Sequence, residues 1–222
     1  VVVLTKLIKT RFPDYIIQTW LYHADLIGGI SAYLAGSRKI LWCIRHAIIR
    51  KGDLKFATNV IVYINALFSY VIPKKVIYNS ECGMNFHEDN VFYNKINGGV
   101  IHNGIDVEIF KFDEKDVSKP KNGKIVIGSA GRFDLQKNHH LIFKVCRDLI
   151  DSGHNNFEIK LVGANVDYNN KYLMELMSKY DVGEYVHLYG MENDMPKFYN
   201  SLDIFILTSN TEGFPNVIGE AM

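Results

Sequence analysis

Cysteine is scarce in this chain of 222 residues: Cys43, Cys82 and Cys146 are odd in number, widely spaced and contain no Cys-x-x-Cys pair. That argues against a disulfide framework and a thiolate zinc site, and a reducing cytosol suits it best. Net charge is nearly absent too, at +1, which removes the strongly basic balance expected of a nucleic-acid binder. No Asp-x-Asp occurs anywhere. Long apolar runs are missing as well. The best candidate, Phe56 to Ile72, is 17 residues long and interrupted by Thr58, Asn59, Asn65 and Ser69, short and polar for a membrane span. Its Val60, Ile64, Leu67, Phe68 and Val71 recur at helical spacing, which predicts the inward side of a core helix ended by Pro73. Neither a secretory leader nor a Met opens the chain, so its destination is not legible there.

What is present is a globular composition, 48% hydrophobic, in a chain long enough for two modest domains or one large one. Strand-like runs stand at Tyr15 to Thr19, Lys39 to Ile44, Lys75 to Tyr78 and Gly99 to Ile101, separated by segments of helical spacing. Such alternation predicts βαβ units and a parallel sheet. A polar stretch, Lys111 to Lys124, carries eight charged residues with Pro120, Asn122 and Gly123 and is the candidate linker. A second series follows at Ile125 to Ala130, Phe157 to Val162, Val186 to Tyr189 and Ile204 to Leu207. Between its first two strands, Leu141, Ile142, Val145 and Leu149 predict the inward face of a helix started by Asn138 and stopped near Gly153. The expected architecture is α/β: two Rossmann-like domains, 1–110 and 111–222, facing each other across a cleft. The halves differ in charge: residues 1–110 carry 12 Lys and Arg against 8 acids, and residues 111–222 carry 13 against 16. The basic half suits an anionic membrane surface or an acidic acceptor, although an excess of four is equally that of an ordinary solvated surface.

The densest chemistry lies at the end, where Glu212 and Glu220 frame Gly213-Phe214-Pro215-Asn216 after the apolar run Asp203 to Ser209. That run predicts a central strand buried on both faces, and Pro215 a helix beginning near Phe214 with Glu220 in its second turn. Ligands of open α/β sheets bind at the carboxyl ends of strands, where helix N-termini offer N–H groups to phosphate and carboxylates accept from sugar hydroxyls. By spacing alone, a solvated loop acid and an ordinary first-turn acid describe the pair equally well.

The surrounding letters go further. Ser209 to Met222 resembles the Glu-x7-Glu motif, in its Glu-Gly-Phe-Pro…Glu-Ala-Met frame, of the GT-B glycosyltransferases of family 4. Three more stretches match in order: Gly131-Arg132-Phe133-Asp134-Leu135-Gln136-Lys137-Asn138-His139, His102-Asn103-Gly104-Ile105-Asp106, and Trp20 to Gly29 with Trp42 to His46. The resemblance implies a retaining, metal-independent glycosyltransferase that moves a sugar from a nucleotide-sugar donor to a glycan or lipid-linked acceptor in surface polysaccharide assembly. It also implies that the chain is an internal fragment, cut at both ends. By the same resemblance Arg132 and Lys137 bind the donor diphosphate, Glu220 grips the ribose, and Glu212 faces the donor sugar, with Gly213, Phe214 and Asn216 in the donor loop. His46 matches the catalytic-pocket His, so the catalytic set is His46, Arg132, Lys137 and Glu212. His23, Asp25, Arg45 and Asn103 are acceptor-side or cleft candidates. Asp-x-Asp, the metal-holding element of the other large glycosyltransferase fold, is the pattern the chain lacks.

Independently of the family, fixed positive groups are what a departing diphosphate requires, and Arg132 and Lys137 follow a strand ending at Gly131. His139 and His140, adjacent on a helix, point about 100° apart and make no metal pair. No cofactor is expected, since the nucleotide sugar is a substrate. Expected partners are the donor, the acceptor and a peripheral membrane contact at the cytoplasmic face, with no nucleic acid. Two other readings remain open: a nucleotide-sugar epimerase or hydrolase of the same fold, and a non-catalytic nucleotide-sugar-binding fragment.

Overall fold

The structure, a computed structural model, describes residues 1–50, 52–111 and 123–222. Most of the 111–124 stretch expected to be a linker lies outside the described residues. The chain divides into two compact units, one of Val1–Asn103 with Glu212–Phe214, the other of Gly104–Thr211 with Pro215–Met222.

The first unit alternates α1 (Val2–Arg11), β1 (Ile17–Trp20), α2 (Tyr22–Leu34), β2 (Ile40–Ile44), α3 (Phe56–Phe68), β3 (Lys75–Tyr78), α4 (Glu81–Asn90) and β4 (Gly98–Val100). Its strands pair in parallel in the order β1-β2-β3-β4. Trp42, Ile44, Val76 and Tyr78 fill the core under the helices. Parallel pairing forces each connection to cross back over the sheet, so every strand's carboxyl end opens on the same edge.

One expectation for this unit is overturned. α3 buries Val62, Asn65 and Ala66, while Val60, Ile64, Leu67 and, just past the helix, Val71 are exposed, and Phe68 is only half-buried. The inward stripe is chosen by close approach. Asn65 Nδ2 donates to the Tyr22 carbonyl at 2.8 Å, and Ser69 Oγ accepts from Asn94 N at 2.9 Å, bonds that only small and polar residues on that side can make.

The second unit runs β5 (Ile125–Ala130), α5 (His139–Asp151), β6 (Phe157–Val162), α6 (Lys171–Tyr180), β7 (Val186–Gly190), α7 (Met195–Asn200), β8 (Ile204–Phe205) and α8 (Asn216–Ala221). The parallel order is β7-β6-β5-β8. α5 follows Asn138, which is left-handed at φ 51, and points His139, Ile142, Phe143 and Cys146 inward. Ile142 and Leu149 therefore face the core as expected, whereas Leu141 and Val145 are exposed. The expected central strand at 203–209 is also corrected. β8 is two residues long and pairs with β5 alone among the described strands, leaving Ile204 exposed, so it is not buried on both faces.

Candidate functional site

In the second unit the site is built where β5 ends. Gly131 N donates to Val162 O at 2.9 Å and Phe133 N to Ala164 O at 2.8 Å, so the chain leaves the sheet still tied to the loop after β6. Gly163 makes this approach feasible. With φ at +145, its missing side chain leaves room for the Gly131 carbonyl, and a Cβ there would stand 2.9 Å from Arg132 N. Asp134 Oδ1 then accepts from Gln136 N at 2.9 Å and caps a 3-10 turn over Leu135–Lys137. That turn carries Lys137 back over Gly131: a Cβ on Gly131 would lie 3.5 Å from Lys137 Cε and 3.8 Å from Nζ. Arg132 is largely exposed, its guanidinium 3.6 Å from Asp134 Oδ2. Gly131, Arg132 and Lys137 are thus brought together at a strand's carboxyl end just ahead of α5.

Sequence reasoning missed three members of this arrangement. Thr208 Oγ1 donates to Lys137 O at 2.9 Å, Asn210 N donates to Gln136 O at 2.8 Å, and Asn138 Nδ2 donates to Asn210 Oδ1 at 3.2 Å. Thr208 falls inside the 203–209 run whose composition predicts strand, and Asn210 directly follows it. Gly163 is the third, and only its contact with Gly131 distinguishes it from an ordinary loop glycine.

Glu220, in α8, accepts from the Tyr199 hydroxyl through Oε2 at 2.8 Å. Tyr199 is nearly buried among Phe110, Phe198 and Phe205, and burial followed by the Glu220 carboxylate pushes its phenol well above the usual range. The hydroxyl is therefore a permanent donor, and one oxygen of Glu220 is fixed by it. α8 begins at Asn216 with Pro215 as its N-cap, one residue later than the first-turn position expected for that proline.

In the first unit the candidates follow the carboxyl ends of β1, β2 and β4. Arg45 extends its guanidinium over the Trp20 ring at 4.4 Å, a cation–π contact that leaves its charge exposed. His46 stacks on Tyr22 at 5.3 Å and 18°. Its Nδ1 is buried without a partner, and desolvation holds the ring below the usual histidine range despite the opposing pull of Asp53. Tyr22 is itself fixed: His87 Nδ1 lies 2.7 Å from the Gly83 carbonyl and must donate to it, so Nε2 accepts from the Tyr22 hydroxyl at 2.7 Å. Burial lowers His87 to about 4, in keeping with that neutral ring.

Asp25 is fully buried. Its Oδ1 accepts from Thr19 Oγ1 at 2.6 Å, and burial raises its carboxyl to about 7 against the opposing bonds from Thr19 and the Cys43 backbone. It is turned into the fold, whereas His23 beside it is exposed. His102 Nδ1 donates to Asn79 O at 3.0 Å and its ring meets Phe214 at 5.6 Å. Gly213 packs against the Arg45 carbonyl, and a Cβ there would stand 2.8 Å from Asn79 Oδ1. Gly213 and Phe214 thus join Arg45 and His102, with Asn103 next in the chain and partly exposed.

Among the described residues, no group of three or more His, Cys, Asp and Glu is placed to hold a metal. His139 lies tilted against Phe133 at 5.8 Å and is lowered to about 4 by burial, and His140 Nε2 pairs with the Tyr180 hydroxyl at 2.7 Å. Both rings are used structurally.

The chain is 28% identical over 131 residues to the capsular polysaccharide biosynthesis glycosyltransferase CapM of Staphylococcus aureus, a match covering 54% of this chain and 32% of the relative. Among solved structures, Anabaena HepE in complex with UDP-glucose is similar at TM-score 0.81 and 19% identity, over 99% of this chain and 59% of that one. Sucrose-phosphate synthase from Thermosynechococcus elongatus is similar at 0.78 and 14% identity, over 97% of this chain and 55% of that one. The chain thus spans about a third of the curated relative and a little over half of these structures, whose likeness gives the fold, GT-B. Residues 110–222, which hold the β5 site and both glutamates, match the glycosyl transferases group 1 family, and the chain belongs to that family.

Proposed function

We propose that this chain is part of a retaining glycosyltransferase of family 4 that moves a sugar from a nucleotide-sugar donor to a glycan or lipid-linked acceptor in surface polysaccharide assembly. The observation that carries the proposal is the return of Lys137 over Gly131 at the carboxyl end of β5, with Arg132 the next residue in the chain. Two cations ahead of the start of α5 suit a diphosphate, and the UDP and UDP-glucose named for HepE and the capsular role named for CapM support that choice.

In this reading the bond from the anomeric carbon to the diphosphate oxygen breaks while the acceptor oxygen bonds on the same face, and its proton passes to the departing phosphate. Arg132 and Lys137 meet the growing charge. Glu220, with one oxygen set by Tyr199, accepts from the ribose, and Glu212 faces the donor sugar. His46, neutral and held flat on Tyr22, is a donor to the reacting sugar, while Arg45, His23 and Asn103 serve the acceptor side. No metal is needed, because the cations and the start of α5 supply the charge that Asp-x-Asp would otherwise recruit. The three cysteines are all free, which suits a reducing compartment.

A panel of nucleotide sugars offered to the full-length protein with and without a lipid-linked acceptor tests this. Transfer that requires acceptor and yields the α-anomer from an α-linked donor is the expected result. Turnover of donor alone would point instead to an epimerase or hydrolase.

A further inference from the structure

We infer, on the diphosphate reading of the β5 site, that Thr208 is a positioning residue of that site, holding the turn that presents Lys137, with the Asn138–Asn210 pair as a second fastening of the same turn. Lys137 ends a 3-10 turn of three residues, Leu135–Lys137, and Asn138 follows it in the left-handed region at φ 51. Inside the turn, Lys137 N donates to Asp134 O at 3.0 Å and Asn138 N to Leu135 O at 3.2 Å. A turn this short has few bonds of its own to hold one shape, and its last carbonyls need donors from elsewhere.

The segment after β8 supplies those donors. Ile206 N donates to Gly128 O at 2.8 Å, so the chain leaves the sheet still tied to β5. Thr208 Oγ1 then donates to Lys137 O at 2.9 Å across 71 residues of sequence, and Asn210 N donates to Gln136 O at 2.8 Å. Asn138 Nδ2 donates to Asn210 Oδ1 at 3.2 Å and ties in the left-handed residue. The Thr208 bond is half-buried and the Asn138–Asn210 bond exposed, so water competes less for the hydroxyl's. Its acceptor is the carbonyl of Lys137 itself. The Lys137 side chain lies over Gly131, where a Cβ would meet its Cε at 3.5 Å, so a shift of the Lys137 backbone moves the ammonium across the end of β5. A misplacement of about 1 Å at a positioned group costs on the order of 100-fold in rate. Thr208 thus bears on the diphosphate without touching it.

The test is a double-mutant cycle on the full-length protein, read by calorimetric titration of UDP, GDP and ADP and of the matching nucleosides. The four proteins are the wild type, Thr208→Val, Lys137→Ala and the two changes together, valine keeping the shape of threonine without its hydroxyl. Thr208→Val should weaken the diphosphate that binds about tenfold, as loss of one half-buried hydrogen bond does, and leave the nucleoside unchanged. It should have no further effect once Lys137 is replaced by Ala, because the two act as one unit. Thr208→Ser, which keeps the hydroxyl, should bind as the wild type does. Circular dichroism checks folding, and Asn210→Ala, which keeps the N–H, replaces Thr208→Val if that variant does not fold, with a smaller loss in the same direction. Wild-type affinity in Thr208→Val beside a weakened Lys137→Ala overturns the inference and leaves the diphosphate reading standing. Equal losses from Thr208→Val with and without Lys137, a loss shared by the nucleoside, or a serine variant no better than valine each overturn it as well, because the role is then in the fold alone. No diphosphate binding by the wild type, or wild-type affinity in Lys137→Ala, removes the diphosphate reading and the inference with it.

Discussion

Gly163→Ala should damage the candidate site without touching any charged residue. The added Cβ would overlap the Gly131 carbonyl and stand 2.9 Å from Arg132 N, at a φ of +145 that disfavours side chains. Strain at such a φ costs roughly 1–3 kcal/mol, and overpacking against backbone adds about 1–3 kcal/mol more, giving about 2–6 kcal/mol of destabilisation if nothing moves. Relief requires the Gly131–Arg132 backbone to withdraw by about 1 Å to restore van der Waals contact, which carries the guanidinium with it. A misplacement of about that size costs on the order of 100-fold in rate at a positioned site. The melting temperature and kcat/KM for transfer should therefore both fall. Circular dichroism melts with steady-state kinetics of the full-length protein make the measurement, and Gly153→Ala, also at positive φ but with open space around it, controls for backbone strain alone. Wild-type kinetics in a folded Gly163→Ala variant would refute the close-approach argument.

Arg132→Ala and Lys137→Ala should each lower kcat on the order of 100-fold, and Arg132→Lys should fail too, because a point charge does not reproduce the planar fork on phosphate. Glu220→Ala should act mainly through donor KM, by roughly 1.5–3 kcal/mol, and Tyr199→Phe in the same direction by about 0.5–1.5 kcal/mol, both read from saturation curves. Activity should survive EDTA, and rescue by Mn²⁺ after its loss would contradict the metal-independent reading. Asp25, raised to about 7, keeps a proton in the folded state that the unfolded chain loses near its ordinary value, so it makes stability fall as pH rises from about 4 to 7. His87, lowered to about 4, makes stability rise over much of that window, and Asp25→Asn should unmask the rise as a steeper pH dependence, read by fluorescence of Trp20 and Trp42, both in the first unit.

Much of the fold was legible. The runs at Lys75–Tyr78, Ile125–Ala130 and Phe157–Val162 are strands with those bounds, because short β-rich segments between polar turns have few alternatives. Helix faces were less so. Periodicity locates an apolar stripe but not the side on which the protein lies, and in α3 the stripe faces out while Asn65 and Ser69 face in. The 203–209 run read as a central strand because composition cannot count neighbours, and β8 has β5 alone among those described. At the site, Arg132 and Lys137 were visible as cations after a strand. The roles of Gly163, Thr208, Asn210 and Tyr199 were not, since each acts through a partner distant in the chain: Gly131, Lys137, Gln136 and Glu220.

The central claim, that the carboxyl end of β5 is a diphosphate site, is tested most directly by calorimetric titration of UDP, GDP and ADP into the wild type, Arg132→Ala and Lys137→Ala, with the matching nucleosides as controls. The account predicts that at least one diphosphate binds, that each variant weakens it tenfold or more, and that binding of the nucleoside is unchanged. Equal affinity of the diphosphate for all three proteins would contradict it.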